Sequence, residues 1–433
     1  MNLVAILILL AVVVTSLFQP RVGSLVVRPH WAAIAGALAM MALGFVSPRE
    51  AFESLRFMAL PLLTLVSLMI MTLVADKVGL FVSFTRWLAR AADGDAKKLF
   101  TYLFFGGTLI GALFTNDAAV LILTPLVGTL IVEIRTDEWG DRSELPYFFA
   151  VLYVANLVGL LVISNPINIV VADSFDISFL EYAKWMVLPA TASIVVTFLA
   201  LRFYFRHDLP SRFELPRRVQ TVTGHLGFRR FAAGLIVLTL IGFFSESLTH
   251  IPVYAVALTG AVLITAGYMR TEGGSLRPIL RNVAWDVILF VAAIFVVALG
   301  IRNAGITADL GENLRSIHDH SQSLGIAATS GTASFLSALM NNHPVAYTMS
   351  LAIEDMHLSQ EAGQLHVFAA LIGGDLGPKM LPIGSLAALL WFRLLRDRGI
   401  VVSYWEYIKL GVPVTILAVL AAVAVLLAEA ALV

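Results

Sequence analysis

Apolar residues run in stretches of roughly 17 to 25 along the whole chain, with short polar segments between them. As a helix, such a stretch crosses the hydrocarbon layer of a bilayer. Ten spans can be read, at about 3–18, 31–46, 57–75, 147–171, 182–205, 231–244, 253–268, 283–299, 366–395 and 404–428. Two further stretches, 99–132 and 324–353, are apolar at both ends and polar in the middle. The first centres on Phe114-Thr115-Asn116-Asp117, the second on Met340-Asn341-Asn342-His343-Pro344. Each is short for two crossings plus a turn, so each reads as a re-entrant hairpin. Two spans are also broken. Ser164-Asn165-Pro166-Ile167-Asn168 interrupts the fourth. Gly373-Gly374-Asp375-Leu376-Gly377-Pro378-Lys379, then Pro382-Ile383-Gly384-Ser385, interrupts the ninth. Proline removes a backbone donor and turns the preceding residue away from helix. Irregular backbone at membrane depth survives where protein or a wet cavity satisfies it.

Charge then orders the spans. If each hairpin enters and leaves on one side and the ten spans cross, 23 of the 29 basic residues face one side. Arg49, Arg56, Lys184, Arg302 and Arg315 face the other, and Lys379 lies within a span. The basic-rich side reads as cytoplasm, which puts both termini outside it. Five spans and a hairpin precede a basic linker at 207–230, and five spans and a hairpin follow it. An odd number of crossings makes 1–206 and 231–433 inverted repeats, with hairpin tips and broken helices meeting near the midplane. The fold expected is an all-α polytopic membrane protein. The first run, 3–18, lacks a cationic leader and reads as an uncleaved span. The segment 78–91 has the pattern of an amphipathic surface helix.

Composition narrows the chemistry. The chain is 59% apolar and 13% charged, with formal net charge zero and no cysteine. Thiolate metal ligation and disulfides are excluded, no P-loop occurs, and no global basic field exists for nucleic acid. An intramembrane acid is read first as a functional group, and two interrupted segments in corresponding places point to a transporter site. Asp117 has no basic residue near it in sequence. Asp375 and Lys379, four apart, can instead simply pair. The amides can bond across helices without any ligand, and His343 can be a plain tip residue. Asp309, Glu312, Asp319, Glu354 and Asp355 read as solvated loop charges.

The strings FTNDAAVLILTP, SALMNN-x-P, SNPINIVVADSF and GGDLGPKMLPIGSLAALLW, with Arg302-Asn303-Ala304-Gly305, resemble the bacterial arsenite/antimonite efflux permeases of the ArsB type. The resemblance runs over nearly the whole chain. His343, Pro166 and Ala118 depart from the family pattern. The family belongs to an ion transporter superfamily built on inverted repeats with re-entrant hairpins. The resemblance implies export of trivalent arsenic or antimony across the inner membrane in exchange for protons, without a cofactor. In some members it also implies a soluble arsenite-stimulated ATPase as partner. Arsenite as the uncharged trihydroxide offers hydroxyls, and Thr115, Asn116, Asn165, Asn168, Asn341, Asn342 and Ser385 offer matching donors and acceptors. Asp117 first and Asp375 second are the candidate proton carriers, with Lys379 and His343 as a charge partner or modulator. The hairpins and broken spans are expected to move together, as an elevator. A carboxylate transporter or cation/proton antiporter of the same superfamily is the rival reading. An intramembrane aspartyl protease lacks its Gly-x-Gly-Asp motif here, because Ile372 precedes Gly373-Gly374-Asp375.

Overall fold

Several helices begin at a side-chain cap, among them those after Ser47, Asp95, Asn165, Ser178, Ser359 and Ser403. The computed structural model describes residues 2–22, 25–154, 157, 159–215 and 224–432, with the side chains of 22, 25, 116–118 and 386 outside that description. α1 (Asn2–Phe18) is followed by a two-residue antiparallel ribbon, Arg21–Val22 with Leu25–Val26. α2 (Pro29–Ala42) leads to α3 (Pro48–Lys77), which starts in a reciprocal cap between Ser47 and Glu50 with proline in the first turn. Next come α4 (Leu80–Ala91), α5 (Ala96–Leu113) and α6 (Asn116–Ile134). α7 (Leu145–Val154), α8 (Pro166–Ser174) and α9 (Phe179–Tyr204) close the first half. The second half holds α10 (Leu226–Phe244), α11 (Glu246–Thr249), α12 (Val253–Thr271), α13 (Leu276–Asn282) and α14 (Trp285–Asn303). It continues with α15 (Ile306–His320), α16 (Gln322–Met340), α17 (Asn342–Asp355), α18 (Gln360–Leu376), α19 (Leu386–Arg396) and α20 (Tyr404–Ala430).

The order of elements recurs. Each half has an amphipathic helix (α4, α15), a helix pair with a one- or two-residue interruption (α5/α6, α16/α17), a broken span (α7/α8, α18/α19) and a long closing helix (α9, α20). The packing recurs too: α2 lies on α14 as α12 lies on α3, and α6 touches α19 as α17 touches α8, while α9 and α20 pack on each other. The breaks share one backbone path. Leu161 (φ −124°, ψ 148°) precedes a 3-10 turn, Val162–Ser164, and the extended cap Asn165 (φ −141°, ψ 133°). Leu381 (φ −127°, ψ 141°) precedes Pro382–Gly384 and the extended cap Ser385 (φ −134°, ψ 122°).

Both arms of the first hairpin end on one segment. Phe213 donates to Gly94 O at 2.9 Å, and Glu214 donates to Ile134 O at 3.0 Å. Both arms of the second end on α15, where Gly325 lies against His318 and Arg315 donates to Met356 O at 2.8 Å. Loop contacts fall into two groups. One joins Arg142 to Asp208 and Glu406, Trp139 to Arg212, and Arg229 to Ser83. The other joins Arg302 to Glu354 and Asp355, Asn303 to Phe45 O and Glu50, and Phe179 N to Glu246. Glu354 and Asp355 are therefore not free solvated charges; Arg302 forks between them at 2.6 and 2.8 Å. The hairpin arms also run longer than 99–132 and 324–353. Among the described residues seven helices are long and apolar enough to cross a bilayer, and α16 is one of them.

The second hairpin packs backbone to backbone on the ninth span. A Cβ on Gly373 would stand 2.0 Å from Ser330 O, and one on Gly377 2.2 Å from Ser334 O. Small residues permit this approach, which suits a bilayer where close packing holds helices together. Gly373→Ala should force α16 and α18 apart and lower the melting temperature in detergent, at a cost of about 1–3 kcal/mol. Gly331→Ala, on α16 where a Cβ meets nothing within 4 Å, should hold or raise it. Equal melting of the two variants would contradict the tight interface.

Candidate functional site

Asp375 is the centre of the candidate site. It lies at the end of α18, where Gly377-Pro378 convert helix into a 3-10 turn, Gly377–Lys379. Its side chain is 3% exposed. One oxygen accepts from Asn165 Nδ2 at 2.6 Å. The other accepts from the Gly159 backbone N–H and from Asn168 Nδ2, both at 3.0 Å. All three donors belong to the broken fourth span. Asn165 also caps α8, accepting from Ile167 N at 3.3 Å, with Pro166 in the first helical position. Tyr182 OH accepts from Asn168 Nδ2 at 2.9 Å and donates to Gly159 O at 3.0 Å. Glycine at 159 makes room for the cluster: a Cβ there would stand 2.2 Å from Asn168 Nδ2 and 2.8 Å from Ser164 Oγ and would push those side chains aside. Asn168 Oδ1 is buried and, among the described residues, unpartnered.

Lys379 is 1% exposed, and its Nζ has no hydrogen-bond partner among the described residues. It lies 5.4 Å from the centroid of the Tyr153 ring, within cation–π range. The Asp375–Lys379 pair that the spacing allows as an alternative is not among the ion pairs of the described residues. The change of helix type between them ends the i,i+4 alignment, and span four supplies the carboxylate's hydrogen bonds instead. The Lys379 carbonyl fits against Gly411 of α20, where a Cβ would be 2.3 Å away.

The hairpin tips meet these breaks. Leu113 and Phe114 share a small apolar seam with Ile163 of the fourth-span break, walled by Leu68, Met71, Ile236, Leu240 and Phe243. Thr115 is buried. Asn116 and Asp117 stand in the first turn of α6, but their side chains lie outside the described residues. In the second hairpin the backbone at Ala338 approaches Gly384 in the ninth-span break, where a Cβ would be 2.8 Å from its oxygen. Asn341 adopts φ 73°, ψ 157°, a region that non-glycine residues reach only under strain. His343 packs edge-on against Phe290 with ring centroids 5.5 Å apart. Its Nδ1 lies 3.3 Å from Asn341 Oδ1, and its Nε2 is unpartnered among the described residues. Asn342 is half-buried, and Ser385 caps α19 through Ala388 N at 3.2 Å. Thus α6, α8, α17 and α19 each begin at a break, where backbone N–H groups carry partial positive charge.

Gly159, Tyr182 and Tyr153 were not singled out from sequence. A glycine in mid-span, five residues before Ser164-Asn165-Pro166, was the available signal for the first. The tyrosines look like interface residues until span four is folded. A cavity of about 210 Å³ runs from Val162 and Ile169, beside the break, past Thr64 and Pro61 to Asp173 and Glu246. Among the described residues no group of three histidines or carboxylates could hold a metal.

The chain resembles solved transporters in fold. It superposes on the Alcanivorax borkumensis YdaH transporter with TM-score 0.59 at 15% identity, covering 98% of this chain and 97% of that one. It superposes on Neisseria gonorrhoeae MtrF, described among antimetabolite efflux pumps, with TM-score 0.54 at 12% identity, covering 98% and 94%. In sequence it is 31% identical to an Escherichia coli arsenical pump membrane protein over 389 residues, 89% of this chain and 90% of the relative. It is 33% identical to one from Yersinia enterocolitica, over 82% of each. The family model for ArsB, arsenical pump membrane protein, matches residues 4–428. A family match over residues 4–428 and relatives above 30% identity over most of both chains place this all-helical chain in the arsenical pump membrane protein family, as a multi-pass membrane transporter.

Proposed function

We propose that the protein exports arsenite or antimonite, as the neutral trihydroxide, from the cytoplasm across the inner membrane in exchange for protons. The observation that carries this reading is Asp375, a buried carboxylate whose three donors come from the opposite broken span. Around it the amides and hydroxyls match a ligand made of O–H groups. Lys379 aside, the described side chains there carry no cation, which suits an uncharged solute better than a carboxylate. Asp117, at the tip of the first hairpin, is the first candidate for the proton carrier, and Asp375 the second. In the cycle, substrate leaves with the acid ionised, the acid takes a proton outside, and the empty carrier returns and loses it to the cytoplasm. Asp117→Asn should abolish pH-gradient-driven uptake of arsenite into everted vesicles while leaving downhill exchange. Asp375→Asn should do more, because an amide nitrogen would face the donors of span four. That mismatch costs about 1–3 kcal/mol and should lower folded yield. Undiminished gradient-driven uptake in both variants would remove the two acids from coupling. Gradient-driven uptake of a dicarboxylate or of sodium instead of arsenite would favour the rival substrates.

The halves are inverted repeats in this reading, with 207–230 in the cytoplasm, where an ATPase partner would meet it. The recurrent break geometry and the two separate groups of loop contacts support it. The cysteine-free chain makes the test clean. A cysteine at exposed His225 should escape an impermeant thiol reagent added outside, and one at Gln322 should react. Gly224 is the poorer choice, since its φ of +94° and contact with Val78 would strain a side chain. Equal labelling from outside would overturn the topology.

The hairpins and broken spans move as one body against α2, α3, α12 and α14. The apolar seam between Leu113, Phe114 and Ile163 and the wall of Leu68, Met71 and Phe243 supports sliding, because it carries little directional bonding. Oxidising a Met71→Cys/Phe114→Cys pair should stop transport, and reduction should restore it. Full transport by the cross-linked protein would refute the elevator.

A further inference from the structure

The cavity of about 210 Å³ beside the broken fourth span has two unlike walls and two unlike ends. One wall is Val162, Ile169 and Asp173, from the break and α8. The other is Thr64 of α3, with Glu246 of α11 and Tyr254 of α12. In the elevator reading the first wall travels and the second stays, so the cavity lies in the gap between the two bodies. Val162 and Ile169 bracket Asn165 and Asn168 in the chain, which starts the cavity beside candidate substrate ligands. Below that point it is shut. Ile163, next to Val162, packs into the apolar seam of Leu113, Phe114, Leu68 and Phe243, where a void of about 10 Å³ is left. A single water needs about that much room, and a trihydroxide needs more. The other end reaches the surface at Asp173, which is exposed, and Glu246, which is half-buried.

The lining is just as uneven in chemistry. Among the described residues, Asp173 and Glu246 are its charged side chains, and no basic side chain lines it. Glu246 Oε2 accepts from Phe179 N at 3.0 Å, which ties α11 to the start of α9. Thr64 is 2% exposed, and its hydroxyl donates to Leu60 O at 3.2 Å. The threonine oxygen keeps lone pairs for an O–H donor that enters the cavity. Most of the remaining surface is apolar. Such a lining offers acceptors to an uncharged, hydroxylated solute. An anion meets two carboxylates there and no cation to offset them, in a recess whose apolar walls concentrate the field. In the topology above, the turn from α8 to α9 and the turn from α10 to α12 both lie outside, so the acidic end faces the outer solution.

We propose that this cavity is the release vestibule of the transporter, and that Asp173 and Glu246 make its mouth a charge filter. The neutral trihydroxide leaves the break into the cavity, where Thr64 accepts from it at the inner end and the two carboxylates accept at the mouth. Acceptors this close to solvent compete with water and hold the solute weakly, which suits a place of departure. Tetrahedral oxyanions in the outer solution, phosphate and arsenate among them, are kept from entering by the same two carboxylates. The assignment rests on the arsenite-export reading and on the topology proposed with it.

The cysteine-free chain allows a test that reads the cavity separately from transport. Ile169→Cys places a thiol inside the cavity, and Gln322→Cys is the control on the exposed outer surface. Thr64→Cys, close to threonine in size, reports from the opposite wall should Ile169→Cys not fold. Intact cells are treated with impermeant thiol reagents that carry either a trimethylammonium or a sulfonate. Ile169→Cys should react from outside, with a cation-to-anion rate ratio about tenfold above that of Gln322→Cys. Adding Asp173→Asn and Glu246→Gln should bring the two ratios together. External antimonite should slow labelling of Ile169→Cys and spare Gln322→Cys; direct capture of antimonite by thiols would slow both. Labelled Ile169→Cys should lose arsenite efflux, and labelled Gln322→Cys should keep it. Full efflux by a protein labelled inside the cavity would overturn the release route. So would cavity thiols that stay unreactive while Gln322→Cys is labelled. A rate ratio indifferent to Asp173 and Glu246 would overturn the filter. If labelling follows the expected pattern but the wild-type protein moves no arsenite, the export reading fails, and the occupant assigned to the cavity fails with it.

Discussion

A buried carboxylate must find hydrogen bonds, and Asp375 finds three on another part of the chain. Leaving such a group unpaired in an apolar interior costs several kcal/mol. The donors are not spare groups. Gly159 N–H is free because its segment is not helical. Asn165 can reach Asp375 because the break places it in extended backbone as the cap of α8. Removing the break from the fourth span would remove the donors, and removing the acid would leave them facing one another. The two broken spans therefore require each other, and their common backbone path gives both the same solution.

The second hairpin then lies on the ninth span by close backbone packing. Gly373, Gly377 and Gly384 let α16 lie directly on α18 and its breaks, while Gly411 lets α20 close on the Lys379 carbonyl. Close approach matters more than bulk here, because lipid competes equally for apolar side chains. Lys379 is carried in this packed region without a hydrogen-bond partner among the described residues, beside the face of Tyr153.

Much of this was legible in the chain. Apolar run lengths located the long apolar helices, seven of them long enough to cross a bilayer among the described residues, and Pro166, Pro378 and Pro382 located the breaks. Basic residues ordered the loops into the same two groups that now touch one another, Arg142 with Glu406 and Arg302 with Asp355. What stayed hidden depended on contacts between distant segments. The spacing of Asp375 and Lys379 suggested a local pair, because spacing cannot show that Gly377-Pro378 change the helix or that donors 207 to 216 residues away win. Tyr182 stood at a span boundary in sequence and became a site residue only through Asn168.

The distribution of polar groups also bears on how such a carrier can move. Away from the loops, a cluster of side-chain bonds joins the broken fourth span to Asp375 at the end of α18. The seam towards α3 and α10 is built from Leu68, Met71, Ile236, Leu240 and Phe243, with Thr239, whose hydroxyl donates within its own helix to Leu235 O at 2.8 Å. Sliding across an apolar seam exchanges one set of dispersion contacts for another at little net cost. Breaking the Asp375 cluster would expose a carboxylate and three donors at once. For the elevator motion proposed above, this division of forces favours moving the polar cluster whole, since opening the cluster is the more expensive motion.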